Sequence, residues 1–139
     1  MKVSLERIGP AAFEATAASG GQATIDGSPE IGGEGRGMRP MEALLTALAS
    51  CAAMDVVHIL RRQKEPLEDL RIEVDGERPE EGAPKPFTRI HMTFTAVGEG
   101  LSEKKVKRAV ALSVEKYCSV GATLDPTVPV THATAILAP

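Results

Sequence analysis

The order of hydrophobic patterns along this chain predicts an α+β fold built on a mainly antiparallel sheet. Three observations carry that expectation. Period-two alternation recurs near the start, in the middle and at the end of the chain; a nearly unbroken apolar run extends from Ala43 to Leu60; and a second stretch of helical period follows Ser102. With 139 residues the chain is long enough for one domain with a core and too short for two ordinary ones, so residues 1–139 are read as a single domain.

The first thirty residues read as short strands. KVSLERI alternates apolar and polar side chains, and AFEATAA and QATID flank the turn signal Ser19-Gly20-Gly21, which predicts a hairpin or meander. GSPEIGGEGRGMRP comes next as a loop. Its four glycines between Gly32 and Gly37 lack the GxxxxGK[ST] pattern of a phosphate loop, so they mark a flexible crossing or a backbone packed closely against something else.

From Pro40 the pattern turns helical, with Pro40 suited to the first turn and Glu42 placed where a carboxylate complements the helix dipole. Leu44, Leu45, Leu48, Cys51, Ala52, Val56, Ile59 and Leu60 form one broad apolar side, while Ala47, Ala49, Ala53 and Val57 leave little polar surface elsewhere. A helix apolar nearly all round must be buried nearly all round. The cations of Arg61-Arg62-Gln63-Lys64 favour a C-terminus there, ahead of Pro66.

Leu70, Ile72 and Val74 then mark a half-buried strand, PEEGAPKP turns the chain, and Ile90, Met92, Phe94 and Ala96 line the inner face of a longer strand. Ser102 is suited to cap a second helix in which Val106, Ala109, Val110, Ser113, Val114 and Tyr117 recur, with Cys118 at its last turn. A final alternating strand runs through Val128, Val130, His132, Thr134 and Ile136. One sheet covers one side of the first helix. In so small a chain the cover for the other side is a second copy, which predicts an obligate homodimer.

Composition narrows the function. At 42% hydrophobic but 3% aromatic, the core is built from Ala, Val, Leu, Ile and Met, and few rings remain to stack on bases. A net charge of -3, with cations interspersed among acids, gives no field for a polyanion, so no nucleic-acid partner is expected. MKVSLERIGP lacks the apolar core of a secretory leader, which predicts a cytoplasmic protein whose thiols are kept reduced. The run from Ala43 to Leu60 approaches membrane-spanning length, but Asp55 and His58 within it argue against a membrane partner.

The chain holds two cysteines, Cys51 and Cys118, 67 positions apart and each in a helical segment. Joint action therefore depends on the fold bringing them together, and the alternative is that both serve as small buried hydrophobes. To attack a peroxide, Cys51 must be a thiolate, which needs a nearby cation or base. Cys51 lies too deep in its helix for the N-terminal dipole, leaving Arg36 and Arg39 as mobile cations to lay over it, with Lys116 a weaker candidate. Cys51, Asp55, His58 and Arg62 form a polar stripe at i, i+4, i+7 and i+11. Seven helical residues span about 10 Å, too far for a direct Cys51–His58 bond. The stripe reads instead as an internal ion pair of Asp55 with His58 or Arg62. Helical metal ligands prefer i, i+3 or i+4 pairs, and His91 and His132 lie on remote strands, so no metal site is expected.

PMEALLTALASC followed by DVVHIL, AVALSVEKYCSV followed by GATL, and the upstream GGEG segment resemble the two cysteine motifs of the OsmC/Ohr superfamily over nearly the whole chain. The resemblance implies an intertwined dimer in which strongly curved sheets enclose two long central helices, with active sites at the subunit interface. It also implies that Cys51 is the peroxidatic thiolate and Cys118 the resolving thiol. Cys51 then passes through a sulfenic acid to a Cys51–Cys118 disulfide, reopened by an external dithiol such as dihydrolipoamide, with no bound cofactor. Organic hydroperoxides are the implied substrates, in an antioxidant stress response. Three positions depart from the family pattern. Met41 stands where a glutamate usually follows the proline, with Glu42 one residue later; Gly20-Gly21-Gln22 replaces a GGR turn; and Ser119 replaces a proline after the second cysteine. One helical position turns a side chain by about 100°. In such a divergent branch, Glu42 with Arg36 or Arg39 is left to supply the charge network. The alternative is a dimer of the same fold that senses redox state or binds a small apolar ligand without turnover.

Overall fold

The structure, a computed structural model, describes all residues 1–139, which divide into two compact units, 1–44 and 45–139. In the first unit, β1 (Val3–Arg7), β2 (Ala12–Ala17) and β3 (Gln22–Asp26) form the expected antiparallel meander. Asp26, at the end of β3, organises the Gly-rich segment. Its buried carboxylate accepts the N–H groups of Gly27, Glu34 and Arg36, each at 2.8 to 2.9 Å, and these bonds fold that segment back on itself. The loop is a close-packed backbone: a Cβ on Gly37 would lie 2.1 Å from the Thr24 carbonyl oxygen, beside a bridge from Ile25 to Met38. Only glycine fits such an approach.

Helix α1 (Pro40–Arg62) starts at the end of this unit and runs into the second. It is long and apolar enough to cross a membrane by length and composition, yet it contributes Leu48, Ala52, Val56 and Leu60 to a protein core. The same unit also buries Ile90, Met92, Phe94 and Ala96 of the strand Arg89–Val97 and Val106, Ala109 and Val110 of α2 (Glu103–Leu112). Burial along β5 (Arg89–Val97) alternates residue by residue, as its sequence pattern predicts. Burial around α1 is one-sided in the single chain. Met54 and Val57 remain 72% and 43% exposed, so the chain alone does not enclose a helix that is apolar nearly all round.

The second sheet has the order β4-β5-β6, with β4 (Asp69–Glu77) antiparallel to β5 and β6 (Val130–Leu137) parallel to it. The parallel pair is a result of connectivity: α2 carries the chain across between β5 and β6, and a helical crossover returns the next strand in the same direction. Three of the four strand pairings are antiparallel, as the mainly antiparallel expectation requires.

The second helix differs from its expected extent. Regular α-geometry stops at Leu112, residues Ser113–Tyr117 form a π-turn, and Cys118 is extended, capping the short helix α3 (Ser119–Thr123). Cys118 is therefore not in the last turn of α2. The break comes at Ser113, counted in the sequence among the recurring helical positions, where the hydroxyl engages α1 and the carbonyl takes the Cys118 N–H in a wider turn. The N-terminal cap is as expected: the Ser102 hydroxyl accepts the Lys105 N–H at 3.5 Å. The Glu65 carboxylate adds a second clamp, accepting the Ser102 N–H at 2.9 Å and pairing with the Lys105 ammonium at 2.6 Å. The last strand begins at Val130 rather than Val128.

Candidate functional site

The site is built around the middle of α1. Cys51 lies half-buried there, and Cys118 is brought to it from the end of the π-turn with only 4% exposure. Both are free thiols. The Cys118 sulfur accepts the Gly121 N–H at 3.3 Å and directs its own S–H toward the Leu48 carbonyl, one turn before Cys51, at 3.9 Å. Burial pushes the Cys118 thiol above its ordinary value. The Gly121 N–H works against that push, and the hydrogen bond and charge of Cys51 reinforce it. The fold thus seats the Cys118 sulfur against the turn of α1 that leads into Cys51, across 67 positions of sequence.

Their environments divide the chemistry. An external electrophile reaches Cys51 more readily than Cys118, and a sulfur held protonated by burial is a poor first nucleophile.

Beyond Cys51 a groove of about 670 Å³ runs along α1, lined by Asp55, His58, Ile59, Arg62, Gln63 and Tyr117. Three of these belong to the predicted polar stripe. The expected internal ion pair is absent: Asp55 pairs with neither His58 nor Arg62, and its Oδ2 instead lies 3.4 Å from the Ser113 hydroxyl. The reason is competition for the carboxylate. Ser113 arrives from the end of α2 on the same side, whereas His58 and Arg62 project into the open groove. The buried Gln63 Oε1 has no hydrogen-bond partner.

The candidate activating cations are placed differently from one another. Arg36, expected to be mobile, is tied down within the first unit: its guanidinium donates to the Ile8 carbonyl at 2.9 Å and pairs with Glu34 at 2.7 Å. Its backbone N–H also exerts the largest downward pull on the Asp26 carboxyl, which lies below its ordinary value. Glu42 accepts the Arg39 N–H at 2.8 Å in the first turn of α1, the reciprocal half of a capping arrangement. Lys116 sits 5.6 Å from the Tyr117 ring centroid. His132 reaches Glu115 at 3.6 Å, and His91, on the paired strand, contacts Thr131 at 2.7 Å.

Sequence reasoning missed Ser113 and Asp26 as organising residues. A lone serine at an otherwise apolar helical position was the available signal for the first. An Asp-Gly step at a strand end, facing a Gly-rich loop, was the signal for the second.

Comparison with known proteins adds relatives. The family model for OsmC-like proteins matches residues 33–133. Protein YhfA of Escherichia coli strain K12 is 40% identical over 126 residues, covering 91% of this chain and 90% of its relative. Among solved structures, a protein of Aquifex aeolicus VF5 called hypothetical is similar with a TM-score of 0.80 and 34% identity, covering 98% of this chain and 96% of its own. The organic hydroperoxide resistance protein OhrB of Bacillus subtilis shares the fold with a TM-score of 0.62 at 20% identity, over 96% of each chain.

Proposed function

The chain belongs to the OsmC-like family, and from that premise we propose that it is a cytoplasmic, thiol-dependent reductase of organic hydroperoxides acting through Cys51 and Cys118. The observation that carries the reading is a half-buried thiol on α1 with a buried one seated against the preceding turn of the same helix. The fold it shares with a protein named for organic hydroperoxide resistance agrees with it.

In the proposed cycle the Cys51 thiolate attacks the terminal peroxide oxygen and the O–O bond breaks. The alcohol leaves after taking up a proton, and Cys51 becomes a sulfenic acid. The Cys118 sulfur then attacks the Cys51 sulfur; the S–O bond breaks, and the departing hydroxide leaves as water with the Cys118 proton. An external dithiol, of which dihydrolipoamide is the type, reduces the disulfide by exchange and is itself oxidised. Arg39 and Glu42 are assigned on sequence grounds as the charged partners of the Cys51 thiolate. A second copy of the chain is assigned as the cover for the exposed side of α1, where Met54 and Val57 stand open.

The test is consumption of cumene hydroperoxide with a dithiol reductant by wild type and by Cys51→Ser. Wild-type turnover that vanishes in Cys51→Ser is expected, and equal background rates for both reject the reading. Sedimentation across a dilution series tests the dimer, against which a compact monomer would count.

The groove favours a second reading, in which the same fold binds a small amphiphilic ligand or senses redox state without turnover. Tyr117 is the one tyrosine of a chain without tryptophan, so tyrosine emission reports on this groove alone. Saturable quenching by a medium-chain alcohol, with no peroxide consumed, supports that reading over the first.

A further inference from the structure

Ser113 links the two cysteine-bearing segments through bonds at both of its ends. Its hydroxyl donates to the Ala52 carbonyl, the residue after Cys51, at 3.0 Å, and its own carbonyl accepts the Cys118 N–H at 2.9 Å. The side chain is fully buried, in a place where an unbonded hydroxyl is costly, so this connection is a strongly preferred arrangement. The bond from Cys118 back to Ser113 spans five residues and defines the π-turn, a local widening found mostly where a helix has been adapted to a site. Without it, regular helix would continue and carry Cys118 round to another direction.

We propose that Ser113 is a positioning residue for closure of the Cys51–Cys118 disulfide, with Asp55 as the second acceptor that steers its hydroxyl. The hydroxyl has one hydrogen and two acceptors, the Ala52 carbonyl at 3.0 Å and Asp55 Oδ2 at 3.4 Å. Both lie on the turn of α1 that begins at Cys51, so either bond holds the π-turn against the reacting turn. Ser113 touches neither sulfur. It acts by fixing the backbone from which Cys118 reaches across, and for a closure step whose geometry must be held within about 1 Å, such fixing is worth up to ~100-fold in rate.

The inference deepens the peroxidase reading but is tested apart from it by using diamide as oxidant. Diamide takes up the two thiol hydrogens across its N=N bond as the disulfide forms, so no hydroperoxide chemistry is required. Closure is followed by loss of free thiol, and Cys51 oxidation is followed separately by dimedone trapping after hydroperoxide addition. Ser113→Ala should slow diamide-driven closure about tenfold or more, because the backbone carrying Cys118 is no longer held in the closing geometry. Ser113→Thr, which keeps the hydroxyl, should restore most of the rate, and in a Cys118→Ser background, where closure cannot drain the sulfenic acid, neither substitution should change the rate of dimedone labelling. Closure of Ser113→Ala at the wild-type rate overturns the proposal, as does a wild type that never closes with diamide. Equal slowing of both steps also overturns it, because it marks general loosening. If wild type closes with diamide yet consumes no hydroperoxide, the peroxidase reading falls and the positioning role stands. Should Ser113→Ala fail to fold, amide exchange of wild-type Cys118 before and after closure decides: retained protection supports the role, and loss of protection on closure refutes it.

Discussion

Replacing Leu48 by alanine tests whether a specific wall of the core keeps the Cys118 thiol protonated. Leu48 is 1% exposed, its carbonyl faces the Cys118 sulfur, and its Cδ1 lies 3.6 Å from where a Cβ on Gly121 would stand. The side chain thus fills space against the segment that holds the sulfur. Removing three buried carbons costs about 3 kcal/mol, the sum of lost transfer energy and the cavity left behind. At this chain length each kcal/mol shifts the melting temperature by about 3 °C, so a fall of roughly 10 °C is expected. The cavity also admits water toward a thiol whose elevation comes first from burial. In a Cys51→Ser background, alkylation of Cys118 at mildly alkaline pH should therefore quicken several-fold, up to about tenfold for a full unit of pKa. Val56→Ala is the control, because it empties a fully buried position two turns further along α1 and should destabilise without quickening Cys118. The reasoning fails if Leu48→Ala loses the stability but Cys118 still reacts at its old rate, or if Val56→Ala accelerates it equally.

Single contacts yield other expected outcomes. A Cβ on Gly98 would stand 2.1 Å from the Pro66 carbonyl oxygen, so Gly98→Ala should cost about 1–3 kcal/mol in urea unfolding, while Gly21→Ala, which meets nothing closer than 3.9 Å, should be nearly neutral. The Glu65 carboxyl lies below its ordinary 4.5, chiefly through its bond from Lys105 and then the Ser102 N–H. It binds a proton more weakly folded than unfolded, so its contribution is present above about pH 4.5 and fades as pH falls through the lowered value. Glu65→Gln should then flatten the acid-side loss of stability measured by urea midpoints, and an unchanged slope would contradict the assignment. Cys118 has the opposite sign: its thiol is raised above the ordinary 9.0, so its contribution is complete below that pH and is lost as pH rises through the folded value. Cys118→Ala should accordingly remove part of the alkaline decline in midpoint.

Much of this protein was legible in its sequence because local pattern and burial coincide there. Alternation fixed the inner face of β5 at Ile90, Met92, Phe94 and Ala96, and the Ser19-Gly20-Gly21 signal placed the turn of the meander. Pro40 and the Arg61-Arg62 pair bounded α1 because caps and dipoles act within one turn. The two cysteine motifs pointed to a family whose model matches residues 33–133.

Tertiary structure decided what depends on a partner far away in sequence. No local rule ends α2 at Leu112: Ser113 keeps helical dihedrals, and the widening beyond it, closed by the Cys118 N–H on the Ser113 carbonyl, sits where its hydroxyl meets a carbonyl of α1. Asp55 forgoes the helical neighbours His58 and Arg62 for the same residue. Arg36 is fixed through Ile8 and Glu34 once Asp26 has folded the glycine-rich loop around it. The meeting of Cys51 and Cys118 belongs to this second class. Periodicity fixes the direction of a side chain relative to its own helix, whereas the distance between two sulfurs is set by how helices pack, and that information exists only when the chain is folded.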